Sequence, residues 1–156
     1  MGLKDEVVLL RDVPLFASVQ VAHLQVLAFS SEKMKVKAGD HLVRQGERTR
    51  CGYLIRKGAA EAFTETSGKA ERIARLERGA FIGELSLIAG LPHRISVRAV
   101  SSLTVLRIPN SLFMRVCAEF PEFGQQVLAN ALRRFSGSME ELERVREAFD
   151  KARPFI

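Results

Sequence analysis

The groups in this chain best able to do chemistry together lie between Gly79 and Ala99, in the run Gly-Ala-Phe-Ile-Gly-Glu-Leu-Ser-Leu-Ile-Ala-Gly-Leu-Pro-His-Arg-Ile-Ser-Val-Arg-Ala. Phe81 and Ile82 are expected to end a strand, and Gly83 to let the backbone turn closely. Glu84 to Ile88 then form a single helical turn, whose first amides have no acceptor within the helix and suit a phosphate or other anion. A carboxylate at Glu84, beside those amides, can accept hydrogen bonds from the vicinal hydroxyls of a ribose. His93 and Arg94, returning on the next strand, supply positive charge at the same place. A short helix, a sugar-binding acid and a basic residue describe a cradle for a cyclic sugar phosphate.

No other grouping competes. His23, His41 and His93 fall in different elements, so the clustered histidines of a metal-dependent jelly-roll enzyme are missing. No Ser-His-acid or Cys-His grouping can be argued either, and an enzyme is not expected; nor is a resident cofactor or metal. Cys51 and Cys117 lack metal or redox spacing and read as reduced thiols of a cytoplasmic protein. No apolar run approaches the ~20 residues of a membrane span, and the first six residues lack the blocks of a signal peptide. Gly2 follows Met1, but position 6 is Glu, which breaks the myristoylation pattern. The net charge of +6 comes from lysines and arginines scattered along the chain, a solvated basic surface rather than a basic tail.

Three textures position this run within 156 residues, a length suited to one domain. Residues 1–31 read as helices: one over about 3–11, then, beyond Pro14, one capped by Ser18 with Val21, Leu24, Leu27 and Ala28 on its apolar face. Residues 32–109 change to short, partly alternating apolar runs divided by glycines at 39, 46, 52, 58, 68, 79 and 83. Many short strands with regular turn signals indicate a sandwich, jelly roll or barrel. Residues 110–156 return to helix, opening at Asn110 or Ser111 and again at Pro121. Leu128, Leu132, Phe135, Met139, Leu142 and Phe149 keep a heptad-like rhythm, suited to packing on the barrel or on a partner helix, including a second copy of the chain. Ser136-Gly137-Ser138 interrupts it, and Ser138 with Glu141 has the form of a capping box that starts a new helix.

With these residues in place, the stretch from Ile82 to Arg98 resembles the phosphate-binding cassette of cyclic-nucleotide-binding domains, as in catabolite activator proteins and regulatory subunits of cyclic-AMP-dependent kinases. That family's pattern is roughly Phe-Gly-Glu-Leu-Ala-Leu, a short loop, then Pro-Arg-Ala-Ala-Thr-Val. Val13-Pro14-Leu15-Phe16 is similar to its helical entry; Gly39, Gln45-Gly46-Glu47, Tyr53-Leu54-Ile55 and Gly58 match its strand turns. The resemblance runs from about Val13 to Arg134. It implies an α+β fold: an eight-stranded antiparallel jelly-roll β-barrel flanked by N-terminal and C-terminal helices. It further implies cyclic AMP or cyclic GMP as ligand, with Gly83 and Glu84 on the ribose side and the Ser86 amide facing the cyclic phosphate. Leu85, Ile73 and Val97 are implied near the purine or in the core beneath it.

The departure is at the family's phosphate arginine. A gapless alignment puts His93 there, with Arg94 where the family has a small residue; a loop one residue longer puts Arg94 in the arginine's place. Alternation along the strand sets His93 inward with Ile95 and Val97, and Arg94 outward with Ser96 and Arg98. The candidate ligand residues are therefore Gly83, Glu84, Leu85, Ser86, His93, Arg94, Ile95 and Ser96. Two functions follow. One is a cytoplasmic cyclic-nucleotide sensor that moves its C-terminal helices against a protein partner or a dimer interface. The other is a degenerate relative that has lost nucleotide binding and serves as an interaction scaffold. DNA binding is not expected, because the chain stops at Ile156 with no helix-turn-helix.

Overall fold

A computed structural model describes residues 2–135 and 139–151. Helix α1 (Leu3–Arg11), a 3-10 turn (Pro14–Phe16) and α2 (Val21–Ser30) precede eight strands: β1 (Glu32–Val36), β2 (His41–Val43), β3 (Cys51–Lys57), β4 (Ala60–Thr66), β5 (Lys69–Leu76), β6 (Phe81–Ile82), β7 (Ser96–Ala99) and β8 (Leu103–Pro109). Helix α3 (Glu84–Ala89) interrupts them between β6 and β7, and α4 (Asn110–Glu119), α5 (Pro121–Arg134) and α6 (Met139–Lys151) follow. None of the described helices is long and apolar enough to cross a membrane. The expected interruption at Ser136–Ser138, and with it the Ser138–Glu141 cap, lies outside the described residues.

Eight antiparallel strands form as expected, but they do not close into a barrel. They make two sheets of four, ordered β1-β8-β3-β6 and β2-β7-β4-β5. Closure would need hydrogen bonding across the edges; the edge strands β6 and β2, of two and three residues, each pair with one neighbour only.

Alternation along β3 and β8 explains why their apolar runs are almost unbroken. Tyr53, Ile55, Leu103 and Val105 face the second sheet, whose Val43, Ala60, Ala62 and Val97 complete one core. Leu54, Leu106 and Ile108 face the other way, into a second core with α1, α2, α4, α5 and α6. Both faces of this sheet are therefore covered. The β5 edge of the other sheet is not, and Ile73, expected near the ligand or core, is 55% exposed there.

Two helix readings shift by a residue or more. Ser18 takes a left-handed φ of 64° and caps nothing; α2 starts after Gln20. On α5 the buried face is Phe123, Val127, Asn130 and Ala131, while Leu128 and Leu132 on the expected seam are only partly buried. Asn130 explains the offset: its side-chain amide donates to the carbonyls of Leu15 (2.9 Å) and Ala17 (2.8 Å), so a polar residue holds the centre of the packed face. Val145 and Phe149 bury α6 against the same core. A carboxylate–guanidinium pair fixes α1 to β3: Glu6 Oε2 lies 2.9 Å from Arg56 Nε, with both side chains almost wholly buried.

Candidate functional site

β6 delivers the chain to Gly83, which turns with φ +85° into α3. No side chain fits at Gly83: a Cβ there would lie 2.8 Å from His93 Cε1 and 2.9 Å from the Cys51 carbonyl oxygen. The N–H of Leu87 donates to the Gly83 carbonyl at 2.9 Å and closes the first turn. Ser86, Leu87 and Ile88 form the buried face of α3, and Asn110 donates to the Leu87 carbonyl at 2.6 Å from the head of α4. The helix is thus clamped from below, with its first-turn amides lacking intrahelical acceptors.

The loop after α3 places His93 through its backbone. The His93 N–H donates to the Glu47 carbonyl (2.9 Å), and its own carbonyl accepts from the Gly46 N–H (2.8 Å). Its side chain is 5% exposed. His93 Nε2 and Thr49 Oγ1 share a hydrogen bond of 2.7 Å, and Thr49 Oγ1 reaches Ser86 Oγ at 3.4 Å. Ser86 Oγ in turn accepts from the Cys51 N–H at 3.2 Å. Burial pulls the His93 pKa below its ordinary value, only partly opposed by the Glu47 carboxylate, so the ring is neutral near pH 7. His93, which the gapless alignment puts in the arginine's place, is here a neutral, protein-bonded imidazole.

Seven of the eight candidate residues come together. Gly83, Glu84, Leu85, Ser86, His93, Arg94 and Ile95 line one cavity of about 270 Å³, with Arg134 and Phe135 from the end of α5 on its rim. Arg94 is exposed. Ser96 is the exception. It is 2% exposed rather than outward, and its hydroxyl accepts from the Gln45 N–H at 2.9 Å instead of lining the cavity. Strand β7 begins only at Ser96, so residues 93–95 are loop and the alternation rule does not reach them.

Glu84 is not waiting in solvent. Arg134 Nε donates to Glu84 Oε2 at 2.8 Å, and the two side chains are 36% and 12% exposed respectively. This links the expected ribose acid to the last turn of α5. Arg134 and Thr49 were both missing from the sequence reading: they stand 50 and 37 residues from their partners Glu84 and Ser86, and neither sits in a motif.

Comparison with known proteins points the same way as this geometry. The family model described as a cyclic nucleotide-binding domain matches residues 33–120, more than half of the chain. A cAMP-dependent protein kinase regulatory subunit from Emericella nidulans is 32% identical over 107 residues, covering 69% of this chain but 26% of its own length. A solved cyclic nucleotide-binding-like protein from Brucella abortus is 33% identical, with a TM-score of 0.66 over 72% of this chain and 97% of its own. The regulatory domain of Toxoplasma gondii PKA, solved with cAMP, shares the fold at 20% identity, with a TM-score of 0.68 over 94% of this chain and 57% of its own. The chain belongs to the cyclic nucleotide-binding domain family.

Proposed function

We propose that this domain is a cyclic-nucleotide sensor in which the ligand competes with Arg134 for Glu84. The observation that carries the reading is the 2.8 Å contact between them. A cyclic nucleotide seated on α3 would offer its ribose hydroxyls to Glu84 and its phosphate to the first-turn amides, with Arg94 at the rim supplying charge. Glu84 would then release Arg134, and the end of α5, followed by α6, would move. That movement is what a protein partner or a second copy of the chain would read. The domain would act as a regulatory module of the cytoplasm rather than as an enzyme.

The test is calorimetry with cyclic AMP and cyclic GMP on the wild type, Glu84→Gln and Arg134→Gln. A hydrogen bond to a charged group is worth ~1.5–3 kcal/mol, so Glu84→Gln should weaken binding roughly ten- to a hundredfold. Arg134→Gln should tighten it, because the competing partner is gone.

One observation favours the degenerate alternative: Ser86, His93 and Glu84 all have protein partners. If millimolar nucleotide leaves the melting temperature unchanged, the cassette is closed by its own side chains and the scaffold reading stands.

A further inference from the structure

At the C-terminal end of α3 lies a second cavity, of about 450 Å³, which shares no lining residue with the cassette cavity. Arg48 and Arg50 reach it from the loop between β2 and β3, and Arg144 reaches it from α6. Against these three guanidinium groups stands one lining carboxylate among the described residues, Glu147. Ile88 and Met114 give the cavity an apolar wall.

The arginines are held in place. Arg48 Nη1 donates to the Gly90 carbonyl at 3.1 Å. Arg50 adopts a left-handed φ of 56°, which residues with a side chain seldom take up, and its carbonyl accepts from the Asn110 N–H at 2.8 Å. Its guanidinium fills the recess left by Gly90, whose φ is +65°: a Cβ there would lie 3.2 Å from Arg50 Nη1. Two like charges thus converge on the carboxyl end of a six-residue helix, with a third facing the same cavity, so that even with Glu147 and the helix carbonyls beside them the lining stays net positive and attracts an anion. Arg144 has an acidic neighbour in Glu140, but at 3.7 Å and exposed.

We propose that this cavity binds an organic polyphosphate with an apolar or planar body, its phosphates on Arg48, Arg50 and Arg144 and its body against Ile88 and Met114. Arg48 and Arg50 belong to the loop between β2 and β3 and Arg144 to α6, so an occupant spans the two and pins α6 over the end of the cassette helix. The site is built from residues other than those that line the cassette cavity.

Titration calorimetry on the full chain, with ATP as probe and tripolyphosphate and adenosine as its two halves, tests this. ATP should bind, and Arg50→Gln and Arg144→Gln should each weaken it about ten- to a hundredfold, the loss expected for a hydrogen bond from a charged donor. Tripolyphosphate should bind less tightly than ATP, adenosine should bind undetectably, and Glu84→Gln should still bind ATP. Arg144 lies on an exposed face of α6, so Arg144→Gln should keep the wild-type melting temperature and guard against misreading an unfolded variant. The proposal is overturned if millimolar ATP does not bind, or if neither arginine variant weakens it. Loss of binding in Glu84→Gln would place the ligand in the cassette instead, and equal affinity for tripolyphosphate would remove the apolar body.

Discussion

Two carboxylate–guanidinium pairs hold helices of this domain in place, at nearly the same distance and with opposite consequences. Glu6 and Arg56 join α1 to β3 at 2.9 Å with side chains 2% and 7% exposed; Glu84 and Arg134 join α3 to α5 at 2.8 Å with side chains 12% and 36% exposed. The first pair cannot part without leaving a charge buried away from its counter-ion, so it acts as a structural staple. The second opens onto a cavity, where water or ligand hydroxyls can replace either partner at small cost. Burial, not distance, separates a structural contact from an exchangeable one. The contact of α1 is therefore a structural one, and the contact at the end of α5 an exchangeable one.

The largest expected effect breaks the comparison at its buried end. Glu6→Ala should destabilise the fold by about 3–5 kcal/mol, because the buried Arg56 loses the carboxylate 2.9 Å from its Nε. Arg134→Gln, which removes the partner of an equally close contact, should change stability by no more than about 1 kcal/mol. Urea unfolding of the two variants beside the wild type measures both. Similar losses would mean that the α5 contact is as structural as the α1 contact, and the exchange of Arg134 for ligand would lose its basis.

A middle-sized effect sharpens the comparison at the cassette itself. Gly83→Ala adds a Cβ 2.8 Å from His93 Cε1 and 2.9 Å from a backbone oxygen, in a left-handed conformation. Backbone strain of this kind costs about 1–3 kcal/mol, and both His93 and the Cys51 backbone must give way to make room. The variant should melt lower than the wild type and lose nucleotide binding together, since the turn, the imidazole and α3 share one packing arrangement. Retained binding in a destabilised variant would show that the ligand does not depend on where His93 sits.

How much of this was legible in the sequence follows from how local each feature is. The turn at Gly83 and the helix from Glu84 were readable because contiguous residues make them. The two-layered burial of β3 and β8 appeared in the sequence only as partial alternation, because a strand covered on both faces loses its polar phase. His93 was placed inward by alternation, yet β7 starts three residues later and its first residue, Ser96, is buried against the rule. Backbone bonds to Gly46 and Glu47 set the imidazole's direction, and such bonds leave no mark on residue type. Asn130 hid the true face of α5 for a related reason: a buried amide satisfied by two distant carbonyls looks like a surface residue in the sequence. The barrel expectation failed on strand length, since β2 and β6 are too short to join the sheets.

The smallest expected effect concerns the imidazole, and pH reads it. Desolvation lowers the His93 pKa in the folded state, with the Glu47 carboxylate opposing it and the Tyr53 ring packed nearby at 6.3 Å between centroids. The unfolded chain takes up its proton near pH 6.5, whereas the folded chain resists until a lower pH. Between those two values the unfolded state binds more protons, so stability rises with pH. The contribution is fully present above about pH 6.5 and is lost as the pH falls towards the folded-state value. Urea melts at pH 7.5 and pH 5 should show a wild-type loss on acidification that is smaller in His93→Gln; identical losses would remove His93 as the cause. The same titration divides the two basic residues of the cassette. If Arg94 supplies the charge that meets a cyclic phosphate, nucleotide affinity should stay flat between pH 6 and 8, with no proton taken up on binding. If the phosphate instead draws a proton onto His93, affinity should climb as the pH falls, and calorimetry in buffers of different ionisation enthalpy should register the uptake. The neutral, Thr49-bonded ring favours the flat profile.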